Sequence, residues 1–326
     1  MKKTSKFNCM KSLKIKGFLI LGLLLIPLWN KLQAQQDPQY TQYMYNPLVI
    51  NPAYAGNRGV TSILGLHRSQ WVGLDGAPRT QNLTVHSPIG LGKVGLGFSI
   101  INDALGPARE TYFNVDFSYT IQTSLNGSLS FGLKGAVNML DVDFTRTNPF
   151  NNNDPLLANN IDNKLSPNVG VGLFYHDDRF YAGLSAPNLL ETDHFDRSGT
   201  QGSQSFIAEE RIHYYGLMGY VFDLSTDVKF KPATLVKMVA GAPLQVDLSA
   251  NFMFYDKITL GGAYRWSAAL SGLVGFQVSD GLLIGFAYDR ETTELGNALY
   301  NDGTYEVFLR FELFKNYDRM LTPRFF

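Results

Sequence analysis

The chain has 326 residues, a single cysteine and equal numbers of basic and acidic side chains, 28 of each. Seven of those bases fall in the first 34 residues, which hold no acid, so the remainder carries 21 basic against 28 acidic groups. No basic stretch is left to neutralise phosphates, so nucleic acid is not expected as a partner. With Cys9 its only cysteine, the chain has neither a disulfide scaffold nor, beyond the leader, a thiolate nucleophile.

Residues 1–34 read as a signal peptide. Lys2, Lys3, Lys6, Lys11, Lys14 and Lys16 precede an apolar run from Gly17 to Trp29, and Leu32-Gln33-Ala34 suits cleavage before Gln35. The run is short of the roughly 20 residues a spanning helix needs. Cys9 lies ahead of the apolar run, where it cannot serve as a lipoprotein cysteine.

Residues 35–59 lack helical periodicity. Pro38, Pro47 and Pro52 each push the preceding residue toward extended backbone. Tyr40, Tyr43, Tyr45 and Tyr54, with the steps Asn46-Pro47 and Asn51-Pro52, describe an ordered periplasmic lead-in with an amphipathic contact surface. These eight residues are candidate partner-binding positions. The blander alternative is a tether that only enters the first strand.

From residue 60 to 314 apolar and polar residues alternate in segments of about ten, the period of a strand with two unlike faces. Fourteen strands are predicted near 60–70, 79–87, 93–101, 110–122, 128–141, 167–175, 180–187, 211–222, 227–238, 244–254, 258–266, 268–278, 282–289 and 303–314. In the last, Tyr305, Val307, Leu309, Phe311 and Leu313 share one face while Glu306, Arg310 and Glu312 share the other. The mean hydropathy of −0.08 excludes a helical membrane protein. It suits an all-β fold, a transmembrane antiparallel β-barrel of the outer-membrane type, because only alternate residues meet lipid. Asp116, Lys134, Asp247, Arg265, Asp289, Glu306, Arg310 and Glu312 occupy polar rows and are expected to face the lumen. Tight turns such as Asn126-Gly127 and Asp280-Gly281 alternate with longer connections at 102–109, 142–166, 188–210 and 290–302, the second of them asparagine-rich and read as a solvated loop. An even strand number then puts both chain ends on the periplasmic side.

Fourteen strands enclose more space than their own side chains fill. Phe308 and Phe314 beside Glu306 and Arg310 describe a lumen surface that grips a ligand or a plug. Residues 315–326 continue beyond the barrel as a periplasmic tail, where Phe325 and Phe326 are a candidate docking peptide or a displaced insertion signal. No catalytic, metal or cofactor site is expected. Gly90-x-Gly92-x-x-Gly95 leads into a strand rather than the helix a dinucleotide motif needs, and His86-Ser87 are strand neighbours that point to opposite faces.

The run from Gln36 to Gly59 closely resembles the start of the PorP/SprF family of type IX secretion and gliding-motility proteins. Further matches are Arg68-Ser-Gln-Trp71-Val-Gly73 through Gly76-Ala-Pro78, Ile101-Asn-Asp103 with Gly106-Pro107, Gly241-Ala-Pro243 through Asn251-Phe-Met-Phe-Tyr255, and Pro323-Arg-Phe-Phe326. The resemblance implies a non-enzymatic outer-membrane barrel of a Bacteroidota-type bacterium. Its implied partners are secreted adhesins with a type B C-terminal domain, periplasmic and lipoprotein components of the type IX machinery, and outer-membrane lipid. The rival expectation is a porin or small-solute transporter.

Overall fold

The computed structural model describes residues 38–90, 92–146, 160–191 and 211–313. The expected signal peptide, Phe314, the expected tail with Phe325 and Phe326, and most of the asparagine-rich connection lie outside those residues. Fourteen antiparallel strands follow in chain order. They are β1 (Thr61–Ser69), β2 (Arg79–Ile89), β3 (Val94–Leu105), β4 (Ala108–Gln122), β5 (Ser128–Val142), β6 (Ile161–His176) and β7 (Phe180–Ala186). Next come β8 (His213–Tyr220, resuming after Val221 at Phe222–Asp223), β9 (Val228–Val239), β10 (Gln245–Phe254), β11 (Ile258–Arg265), β12 (Ala269–Ser279), β13 (Leu282–Glu291) and β14 (Thr304–Leu313). Each pairs with its successor, and β14 returns to β1 in a register from Thr61↔Leu313 to Ser69↔Tyr305. The sheet therefore closes, and among the described residues every strand is paired on both sides over at least part of its length, the condition for strands to cross lipid.

The two-residue period decides which side chain meets what. Along β14 burial alternates without a break: Glu306, Phe308, Arg310 and Glu312 are buried, and Tyr305, Val307, Leu309, Phe311 and Leu313 are exposed to the outside. All eight charges expected in the lumen are buried there. The outer row is a band of leucine, valine and phenylalanine, with Leu133 on β5 among the most exposed at 61%. Replacing Leu133 with arginine is expected to cost about 2–4 kcal/mol near the bilayer midplane. The measurement is a urea titration of the barrel in lipid vesicles, with the same change at Leu125, in a turn, as the reference.

Two connections differ from expectation. Residues 102–109 are not a loop: β3 and β4 run through them, Leu105 pairs with Ala108, and the reversal occurs at Gly106-Pro107. Likewise β6 begins at Ile161, inside the stretch expected to be loop up to residue 166. The physical reason is that lipid creates the alternation. Beyond the apolar band both faces are polar, as in the Asn102 amide donating to Thr111 Oγ1 at 3.0 Å, and the period-two signal fades while pairing continues.

One end of the barrel carries short turns, at 123–127, 177–179, 224–227, 255–257 and 280–281. The opposite, long-connection end carries the described connections 70–78 and 292–303, and there β5 and β7 end and β6 and β8 begin. There the connection after β1 and that before β14 interlock, Val72 donating to Gly303 O and Asp302 to Val72 O, both at 2.8 Å.

Candidate functional site

Residues 38–58 run inside the barrel. The segment forms three 3-10 turns, Tyr43–Tyr45, Pro47–Val49 and Pro52–Tyr54. Two begin with proline, whose fixed φ suits a first helical position and whose missing N–H is not needed there. Asn51 caps the third, its Oδ1 accepting from Ala53 N at 3.0 Å. Its Nδ2 donates to Leu173 O on β6 at 2.9 Å, so one side chain both shapes the turn and ties it to the wall.

The segment travels the length of the lumen. At the long-connection end Gln39 donates to Gln245, the first residue of β10. At the short-turn end Gly56 N donates to His86 Nδ1 on β2 at 3.1 Å, and Arg58 pairs with Glu312 on β14. Between these, Ser185 on β7 donates to Ile50 O and Ser118 on β4 to Ala55 O. Pro38 and Leu313, the first and last described residues, thus sit near opposite ends of the barrel. β1 does begin, and β14 does end, at the short-turn end. The preceding segment turns back into the lumen, where its tyrosines and polar backbone meet a polar wall.

The wall is shaped to receive it. A Cβ added at Gly132 on β5 would stand 2.1 Å from Ala53 N, one at Gly172 on β6 2.1 Å from Asn51 Oδ1, and one at Gly95 on β3 2.1 Å from Ala55 O. Three strands therefore present bare backbone along the track of the segment, a use of glycine for close approach rather than for a turn.

Two charged clusters grip the segment. At the long-connection end Glu306 accepts the backbone N–H of Thr41 at 2.9 Å and of Gln42 at 2.8 Å, and Arg68 Nη1 at 3.0 Å. Arg68 also pairs with Asp289 at 2.8 Å, and Thr41 Oγ1 donates to the same Asp289 oxygen at 2.6 Å. Toward the short-turn end Glu312 holds Arg58, with Arg310 at 3.5 Å. Between the clusters the Tyr45 ring lies 4.8 Å from that of Phe308, with Lys231 and Arg310 at 5.3 and 5.9 Å from its centroid. The face of the Tyr45 ring is thus approached by both the Lys231 ammonium nitrogen and the Arg310 guanidine group. Two further pairs, Asp116–Lys134 at 3.3 Å and Asp247–Arg265 at 2.8 Å, each join register partners on adjacent strands.

The candidate binding residues are accordingly engaged within the chain. Tyr40, Tyr43, Tyr45, Asn46, Pro47, Asn51, Pro52 and Tyr54 are all buried. The Tyr40 hydroxyl accepts from Asn82, the Asn46 amide oxygen accepts from Thr84, and Tyr54 stands edge-on to Phe174 at 5.2 Å. Glu306 and Arg310, read as lumen residues that grip a plug, contact this segment directly. The sequence reading did not single out Thr41, Gln42, Arg58 or Arg68 in this role. A cleft of about 430 Å³, counted to its open mouth, remains beside the segment between Tyr40, Tyr112, Lys134, Pro187 and Tyr215.

The model of the type IX secretion system membrane protein PorP/SprF matches residues 32–311. The chain belongs to the PorP/SprF family. That match runs through both the lumen segment and the barrel, so family membership and the plugged architecture concern the same residues. A secretion-system membrane component built as a closed barrel is an outer-membrane protein. No curated protein matches this PorP/SprF chain. Among solved structures it is similar to the CymD monoaromatic hydrocarbon channel, at 12% identity over 84% of this chain and 91% of that one, with a TM-score of 0.46. It is also similar to the NanC porin, at 10% identity over 78% and 100%, with a TM-score of 0.41. CdiB from Acinetobacter baumannii is similar at 8% identity over 78% and 60%, with a TM-score of 0.41. At those values the likeness says nothing about activity, and the barrel rests on its own strand register.

Proposed function

We propose that this protein is a non-enzymatic component of the type IX secretion and gliding machinery that acts by binding. In this reading it helps export or anchor surface adhesins bearing a type B C-terminal domain. The bacterium is of the Bacteroidota type, and the short-turn end faces the periplasm, where lipoprotein components of the machinery would meet the tail and its Phe325 and Phe326. The observation that carries the reading is the occupied lumen. A barrel whose interior is gripped by its own first segment through buried ion pairs and a glycine track is built to present surfaces, whereas a porin keeps its interior open for solute.

The test is affinity purification of the full-length protein from its own bacterium in mild detergent, followed by mass spectrometry. An adhesin C-terminal domain or a periplasmic machinery component should be recovered. Repeated recovery of the barrel alone would refute the proposal. Liposome swelling separates the rival, since solute flux graded by size belongs to a porin. Deleting residues 321–326 should cut recovery of the periplasmic component while membrane levels stay normal if the tail docks. Lost membrane levels would instead assign the tail to insertion.

A further inference from the structure

We infer that residues 38–58 form the clasp that closes this barrel, a segment laid in the lumen before β1 and β14 meet and holding the two strands together once they have met. The seam is the longest-range strand pairing among the described residues. Arg68 and Glu306 are register partners across it and lie 238 residues apart in sequence. Contacts of such separation are late and entropically costly, because the intervening chain must be organised before they reward it.

The lumen face of this seam is charged. Arg68 stands between Glu306 and Asp289, two carboxylates to one guanidinium, all about 1% exposed. What balances the extra negative charge is the segment itself, through two backbone N–H groups and the Thr41 hydroxyl. Without these donors β1, β13 and β14 would bring an under-satisfied anionic pair into a dry interior, and such groups are expensive to bury.

The hold extends down the whole last strand. Every inward side chain from Glu306 to Glu312 has a contact in or beside the segment: Glu306 with Thr41 and Gln42, Phe308 and Arg310 with Tyr45, and Glu312 with Arg58. Arg58 lies three residues before Thr61, which pairs with Leu313. The Arg58–Glu312 pair therefore ties the beginning of the first strand to the end of the last. The fit also fixes the order of events. A segment carrying Tyr43, Tyr45 and Tyr54, seated against bare wall backbone at Gly95, Gly132 and Gly172, cannot be drawn through a closed barrel from the short-turn end to Gln245 at the other.

The experiment refolds residues 35–326 from urea into phosphatidylcholine vesicles and follows the compact, heat-modifiable band on gels. Arg58→Glu and Glu312→Arg are each expected to slow its appearance by on the order of tenfold, the effect of about 1.4 kcal/mol on a barrier. The doubly reversed protein should recover most of the rate. A milder variant, Thr41→Val, is expected to fold and is read by amide exchange, with exchange rising in β1 and β14 while β4 and β5 stay protected. Single reversals that close as fast as the native chain, a double reversal without recovery, or exchange raised evenly around the barrel would each overturn the clasp.

Discussion

A barrel carrying valine at both Gly132 and Gly172 is expected to conduct ions that the native barrel holds back. Each new Cβ would begin 2.1 Å from an atom of the segment, Ala53 N in one case and Asn51 Oδ1 in the other. Neither neighbour is free to swing aside. Ala53 N is backbone, and Asn51 is fixed by its own cap and by Leu173 O. The wall cannot yield, because both glycines sit in continuous strand pairing and are register partners of one another across β5 and β6. The segment must lift instead. Overpacking of this kind costs about 1–3 kcal/mol per site. The double variant should therefore show a lower urea midpoint as well as larger and more frequent openings in planar-bilayer recording. Alanine at Gly135, where a Cβ meets nothing within 4 Å, is the control and should change neither. A double variant that stays silent and stable would mean that the segment does not seal the lumen.

The barrel was legible in the sequence because lipid imposes one rule on every strand. Val307, Leu309 and Phe311 face acyl chains, the charges between them cannot, and fourteen segments obeying that rule fix both the fold and the inward set of residues. The lumen segment was legible only in part. Its prolines and tyrosines announced order and contact, but not that the contact lies inside the same chain, since no periodicity encodes a path through an enclosed space. One usable signal was present. Gly95, Gly97, Gly132, Gly172 and Gly183 all fall in the inward rows of β3, β5, β6 and β7, where a merely solvated wall has no need of bare backbone. Grouped glycines in the polar row of neighbouring strands point to something lying against them. Arg58 and Arg68 could not be assigned in the same way, because their partners on β14 are more than 230 residues distant and register across a closing seam has no local signature.

Replacing Arg68 with methionine is expected to be the most damaging single change in the barrel wall. The substitution keeps an unbranched side chain of similar length, so the loss is electrostatic rather than a cavity. It leaves Glu306 and Asp289 buried together without their guanidinium. Breaking a buried pair by removing one partner costs about 3–5 kcal/mol, because the remaining charge has no compensation and no route to water. The two N–H donors from Thr41 and Gln42 remain on Glu306, so the segment should stay seated while the β1–β14 register weakens. The measurement is equilibrium urea unfolding in detergent micelles. A triple variant, Arg68→Met with Glu306→Gln and Asp289→Asn, removes the charges together and should regain most of the lost stability, since the desolvation cost disappears along with the attraction. If the triple variant were no more stable than Arg68→Met alone, the defect would lie in packing at the seam, and the charged cluster would not be what holds the segment to it.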